Sequence, residues 1–96
     1  MMCAWAHWFG ISSRASAVLT ELYLASPDPL SRDDLALRTR CTPATIARLF
    51  LPLLRQVMVD DAIDHIPGSG YLLTEDGAAE CRRVLMTMSD ELRAAA

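Results

Sequence analysis

The sequence predicts a mainly α-helical chain with one small β-hairpin, and three observations carry that expectation. Apolar residues recur at helical spacing through Ile46, Leu49, Phe50, Leu53, Leu54 and Val57, the pattern of a helix with one face in a core. The period then drops to about two in "VDDAIDHI", turn residues follow in "PGSG", and "GYLLT" reads as a return strand. Hydroxyl residues suited to capping stand just ahead of each helical stretch, at Ser12 or Ser13, Ser31, Thr42 and Thr74.

Taken in order, residues 1–10 form an apolar arm, short and helical or irregular, that holds Trp5, Trp8 and Phe9. Tryptophans carry too much apolar area to leave in water, so these residues are expected to pack on the body or on a second subunit. Gly10 breaks the arm. A three-helix core over 12–59 follows. Its first helix runs to about Ala25, with Ala15, Val18, Leu19 and Leu22 as the buried stripe, and "SPDP" ends it. The second starts at the Ser31 cap, with Asp33 and Asp34 in the dipole-favoured first turn and Leu35 and Ala36 facing inward. The third, over 43–56, has Thr42 as cap and Pro43 at its first position. Pro52 interrupts it and is expected to kink or split it.

The hairpin spans 60–74, and a helix over 75–96 closes the chain. Cys81, Val84, Leu85, Met88 and Leu92 make a narrow stripe on that helix, the kind that takes a partner helix. Trp5, Trp8, Phe9, Val84, Leu85, Met88 and Leu92 are therefore the expected dimer or partner contacts.

Composition narrows the function classes. At 96 residues the chain is read as a single domain, and with 52% hydrophobic residues it is expected to be globular. The net charge is −3, every basic residue is arginine, and the three cysteines are far apart with no C-x-x-C. That usage fits a reduced, cytoplasmic protein. Cys3 and His7 share a helix face, but two ligands make no zinc site. No cofactor is expected. The opening "MMCAWAHWFG" lacks the basic segment and the long apolar run of a secretory signal or a membrane span. His7 and His65 have no nucleophile or carboxylate constellation around them, and the aspartates of 60–64 lack the glycine pattern of a calcium loop. The chain is not expected to be an enzyme.

The element order from Leu30 to Leu85 resembles a winged helix-turn-helix domain. "LSRDDLALRTRCTPATIARLFLPLLRQVMVDD" looks like the helix-turn-helix core of the MarR and PadR families of bacterial transcriptional regulators. "GYLLTEDGAAECRRVL" is similar to their second wing strand and following helix, where a tyrosine, a Leu-Thr pair and a glycine recur. The resemblance implies a recognition helix at 43–56 that enters the major groove of double-stranded DNA. Thr42, Ala44, Thr45 and Arg48 would then face bases or phosphates, Arg38 and Arg40 would flank the turn, and Arg55 would lie further along. Residues 31–58 hold five arginines against two aspartates, a local positive surplus in an acidic chain.

A second resemblance implies another role. "DDLALRTRCTPATIARLFLPLL" followed by "GYLLTEDG" is also similar to the N-terminal winged-helix domain of small-molecule O-methyltransferases, which serves dimerisation. Arg40 and Val57 stand where the regulators favour glycine, Leu51 and Pro52 stand where they carry polar or charged residues on the outer face of the third helix, and residues 59–76 carry five acids and no arginine. With Leu51 and the Trp5/Trp8/Phe9 arm, these features favour a protein-binding module, whereas the 40–48 segment favours a DNA reader.

Overall fold

In the computed structural model, which describes residues 2–95, the order is α1 (Met2–Phe9), α2 (Ser13–Ala25), α3 (Arg32–Thr39), α4 (Pro43–Thr45), a π-helical turn (Ile46–Phe50), α5 (Leu51–Val57), β1 (Ile63–Ile66), β2 (Gly70–Leu73) and α6 (Glu75–Ala95). The protein is mainly helical with one small two-stranded antiparallel sheet. The side chains of Cys3 and Leu92, which entered the ligand and partner expectations, lie outside the described residues.

The caps act where the sequence places them. Ser12 Oγ accepts from the Ala15 amide at 3.2 Å and Ser31 Oγ from the Asp34 amide at 3.0 Å. Each satisfies an amide that the first helical turn would otherwise leave unpaired. Ala15, Val18, Leu19 and Leu22 of α2 are all buried and meet Leu35 and Ala36 of α3 in one core.

The 43–57 helix departs from its expected register. The Leu51 amide bonds to the Ile46 carbonyl, five residues back rather than four, so one extra residue enters the turn. Each residue advances the helix by about 100°, and the buried stripe slips by one position after the turn. Leu51, Leu54 and Met58 are buried, while Leu49 is 56% exposed and Leu53 and Val57 are half-buried. Leu51, expected on the outer face, is 2% exposed and belongs to the core. Pro52 supplies the physical reason: it has no amide to return to the Arg48 carbonyl, and its ring needs room at that turn. The wider turn provides the room, and the helix continues instead of splitting. Leu51→Ala is thus expected to destabilise the protein by about 2–5 kcal/mol, and Leu49→Ala by no more than about 0.5 kcal/mol. Chemical denaturation of the two variants checks the register, and equal losses would refute it.

The hairpin pairs Ile63 with Leu73, Asp64 with Leu72, His65 with Tyr71 and Ile66 with Gly70. Leu30, just before α3, adds a single bridge by exchanging two 2.8 Å backbone hydrogen bonds with Tyr71. Gly70 makes that approach possible. Its φ of 120° lies where side chains are strained, and a Cβ there would overlap the Leu30 carbonyl. At the other end of β2, Thr74 Oγ1 donates to the Asp61 carbonyl at 2.6 Å and accepts from the Gly77 amide at 3.2 Å. Gly77 lies so close to the Ala62 carbonyl that any side chain would collide with it. The "LTEDG" segment therefore ties the hairpin foot to the first turn of α6.

The arm is helical and belongs to the body. Trp5 is fully buried, its Nε1 donates to the Cys81 carbonyl at 3.2 Å, and its ring meets Tyr23 edge-on at 5.2 Å. Val84 is buried as well, and Phe9, Leu85 and Met88 pack half-buried against the same core. Trp5 and Val84, expected at a partner interface, thus sit inside their own chain, because α1 covers the stripe of α6 that was left for another subunit. Trp8 remains 46% exposed. No described helix is long and apolar enough to cross a membrane.

Candidate nucleic-acid interface

The α3–α4 turn sets the geometry of the candidate surface. Arg40 ends α3 in the left-handed conformation, φ 58° and ψ 42°, and its amide and that of Cys41 both reach the Ala36 carbonyl. A non-glycine residue there costs about 1–2 kcal/mol, so the tight turn survives without glycine because the flanking helices over-determine it. The strained backbone projects an exposed arginine from the turn.

Thr42 then caps the next helix, accepting from the Thr45 amide at 3.2 Å, and its hydroxyl lies 2.8 Å from that of Thr45. One of the two hydroxyls donates to the other, and Thr42 itself is exposed. Ile46 and Phe50 hold the inner side of the helix in the core. The outer side presents Thr42, Ala44 and Arg48, with Thr45 half-buried between them. Among the described residues neither Arg40 nor Arg48 has an ionic partner.

Two of the other expected contacts have partners. Arg38 pairs with Glu21 of α2 at 3.4 Å, so a phosphate would have to compete for it. Arg55 lies with its guanidinium carbon 6.0 Å from the centre of the Tyr71 ring, a cation–π contact with the hairpin. The extra residue of the π-helical turn rotates Arg55 away from the Arg48 face, where uninterrupted helical spacing would have aligned the two. His65 stacks on the same tyrosine at 4.6 Å. Sequence reasoning missed this cluster, although a register pairing His65 with Tyr71 would have revealed half of it. It also missed Arg14, whose Nη1 reaches Cys41 Sγ at 3.7 Å and brings a further cation beside the turn. That contact joins α2 to a loop, and no local pattern signals it.

The acids of the hairpin are unevenly placed. Asp60 and Asp61 are at its foot and Asp64 on β1, whereas the tip, residues 66–69, carries no charge. The acidic character is thus kept away from the hairpin end.

Among the described residues no group of three or more histidine, cysteine, aspartate or glutamate side chains is placed to hold a metal ion. Burial, with Glu80 adding to it, pushes the Cys81 thiol up from the ordinary range near 9.0 to about 12. In a Cys3→Ser background, a disulfide reagent is expected to label half-buried Cys41 in the native protein and Cys81 only on unfolding. Equal rates would contradict that burial. The same shift predicts stability that is present below pH 9 and falls as pH rises from 9.0 towards 12, because the unfolded thiol ionises first.

Comparisons with models of protein families, with curated proteins and with solved structures returned no match for this chain.

Proposed function

We propose that this chain is a winged helix-turn-helix protein that binds double-stranded DNA as a homodimeric transcriptional regulator, working in the bacterial cytoplasm without a cofactor. The observation that carries the reading is the surface from Arg40 to Arg48. Two exposed arginines without ionic partners bracket a short-side-chain stretch on the outer side of a helix whose inner side is anchored in the core. Short residues let a helix approach base edges closely, and an arginine at its shoulder can reach guanine with two parallel hydrogen bonds. Arg48 takes that role, while the methyl groups of Thr42 and Ala44 suit the thymine methyl. Arg40 and Arg14 meet backbone phosphates, which fix register without reading sequence. The acidic hairpin foot keeps that end of the hairpin off the duplex, so the helix and turn carry the contact. Two copies would set their helices about 34 Å apart, one DNA turn.

The assembly-module reading loses two of its supports, since Leu51 and Trp5 are in the core. It keeps the acidic hairpin and Trp8, 46% exposed, and the fold adds Leu49, exposed beside Arg48, and Leu37 of α3 at 80% exposure. Backbone amide NMR separates the two readings. On titration with a mixed-sequence duplex, the amides of 40–49 are expected to shift while those of the hairpin foot stay in place. Unmoved spectra would leave the assembly reading in possession of the surface.

A further inference from the structure

Between the hairpin end and the start of α3 lies an open cavity of about 380 Å³, within the range that holds a small ligand. Its two walls are fixed to each other. Leu30 and Tyr71 exchange two backbone hydrogen bonds, and Gly70, where a Cβ would overlap the Leu30 carbonyl, permits that approach.

One wall is aromatic. His65 stacks on Tyr71 with 4.6 Å between ring centres and 27° between the planes, and both residues line the cavity. Arg55 contacts the Tyr71 ring without lining the cavity, so it braces the pair and leaves the space free. The other wall carries two opposite charges, Arg32 and Asp33, on the first turn of α3. Adjacent helical residues point about 100° apart and do not face each other. Neither has an ionic partner among the described residues. The cavity thus offers a cation and an anion side by side, together with a stacking surface.

This combination selects by charge. A simple anion drawn to Arg32 also meets Asp33, and a simple cation drawn to Asp33 also meets Arg32. A ligand that carries both charges close together satisfies both. An α-amino acid holds its ammonium and carboxylate groups on one carbon, and an aromatic side chain adds a ring for the stack. We propose that the cavity binds a free aromatic α-amino acid, with Arg32 taking its carboxylate, Asp33 its ammonium group and the His65–Tyr71 pair its ring. Arg32, Asp33 and His65 are all exposed, so water and salt weaken the contacts and binding falls in the millimolar range. The site shares no residue with the 40–48 surface and does not rest on the DNA reading.

Backbone amide NMR of the full chain, without DNA, tests the site with L-phenylalanine as the probe. The amides of 31–33, 65 and 69–71 are expected to shift and to saturate. Phenylpropionate lacks the ammonium group, phenethylamine lacks the carboxylate and L-alanine lacks the ring, and each should bind roughly tenfold more weakly. Arg32→Gln should lose the preference for L-phenylalanine over phenethylamine, and Asp33→Asn the preference over phenylpropionate, because each removes the partner of the missing group. Circular dichroism verifies that both surface variants keep their helix content. A wild type whose spectrum ignores L-phenylalanine near its solubility limit would overturn the proposal. So would equal binding of phenylpropionate or phenethylamine, or variants that keep the wild-type preferences. None of these outcomes bears on DNA binding, which the duplex titration scores separately.

Discussion

Replacing Trp5 with alanine is expected to lower the unfolding free energy by about 3–5 kcal/mol. The indole is fully buried, touches Tyr23 of α2 edge-on, and donates its only N–H to the Cys81 carbonyl of α6. Removing it leaves a cavity where three helices meet and takes one hydrogen bond from a carbonyl that otherwise keeps its place in the α6 ladder. Against a total stability of about 5–15 kcal/mol for a domain of this size, the loss brings the protein close to unfolding. Trp8→Ala, three residues further on and 46% exposed, should cost much less. Denaturant titrations of the two variants compare them directly. Similar losses would mean that α1 does not dock through Trp5, and the arm would again be free for a partner.

The second large effect concerns binding. Arg48→Ala should weaken duplex binding by about 1–3 kcal/mol, the range for a two-pronged arginine–guanine contact, or roughly 5- to 150-fold in affinity. Its exposure and lack of partners mean that stability should stay within about 0.5 kcal/mol. Arg55→Ala is the contrasting variant. Its guanidinium lies over Tyr71, so the change loosens the hairpin and should leave affinity for DNA much closer to wild type.

Much of the fold was legible because local rules decided it. Ser12, Ser31 and Thr74 cap because their hydroxyls reach amides three residues on, and the α2 stripe is buried because nothing interrupts its period. The hairpin follows from its turn residues and the change of period. The register of the 43–57 helix was not legible in the same way. Leu49 and Leu51 exchange places through one residue in a widened turn, and although Pro52 announces a disturbance, its direction depends on tertiary packing. The stripe of α6 was visible, but its occupant was not: Trp5 reaches Cys81 across most of the chain length, and such pairings leave no periodic trace. In the candidate interface, Arg40 and Arg48 were legible from their place around a capped helix start. The contacts of Arg38 with Glu21, Arg55 with Tyr71 and Arg14 with Cys41 all join distant elements, so their effect on the interface emerged only in three dimensions.

The central claim is that the 40–48 surface holds a DNA backbone and reads its bases. Its most direct test is fluorescence anisotropy of a labelled mixed-sequence duplex, titrated with wild type and with Arg48→Ala over a series of salt concentrations. Wild-type affinity should fall steeply and linearly on logarithmic axes as bound cations are released from the duplex. Arg48→Ala should bind more weakly throughout with its slope unchanged, since Arg48 reads a base while Arg40 and Arg14 hold the phosphates. Binding that is absent, or that ignores both salt and Arg48, would contradict the account.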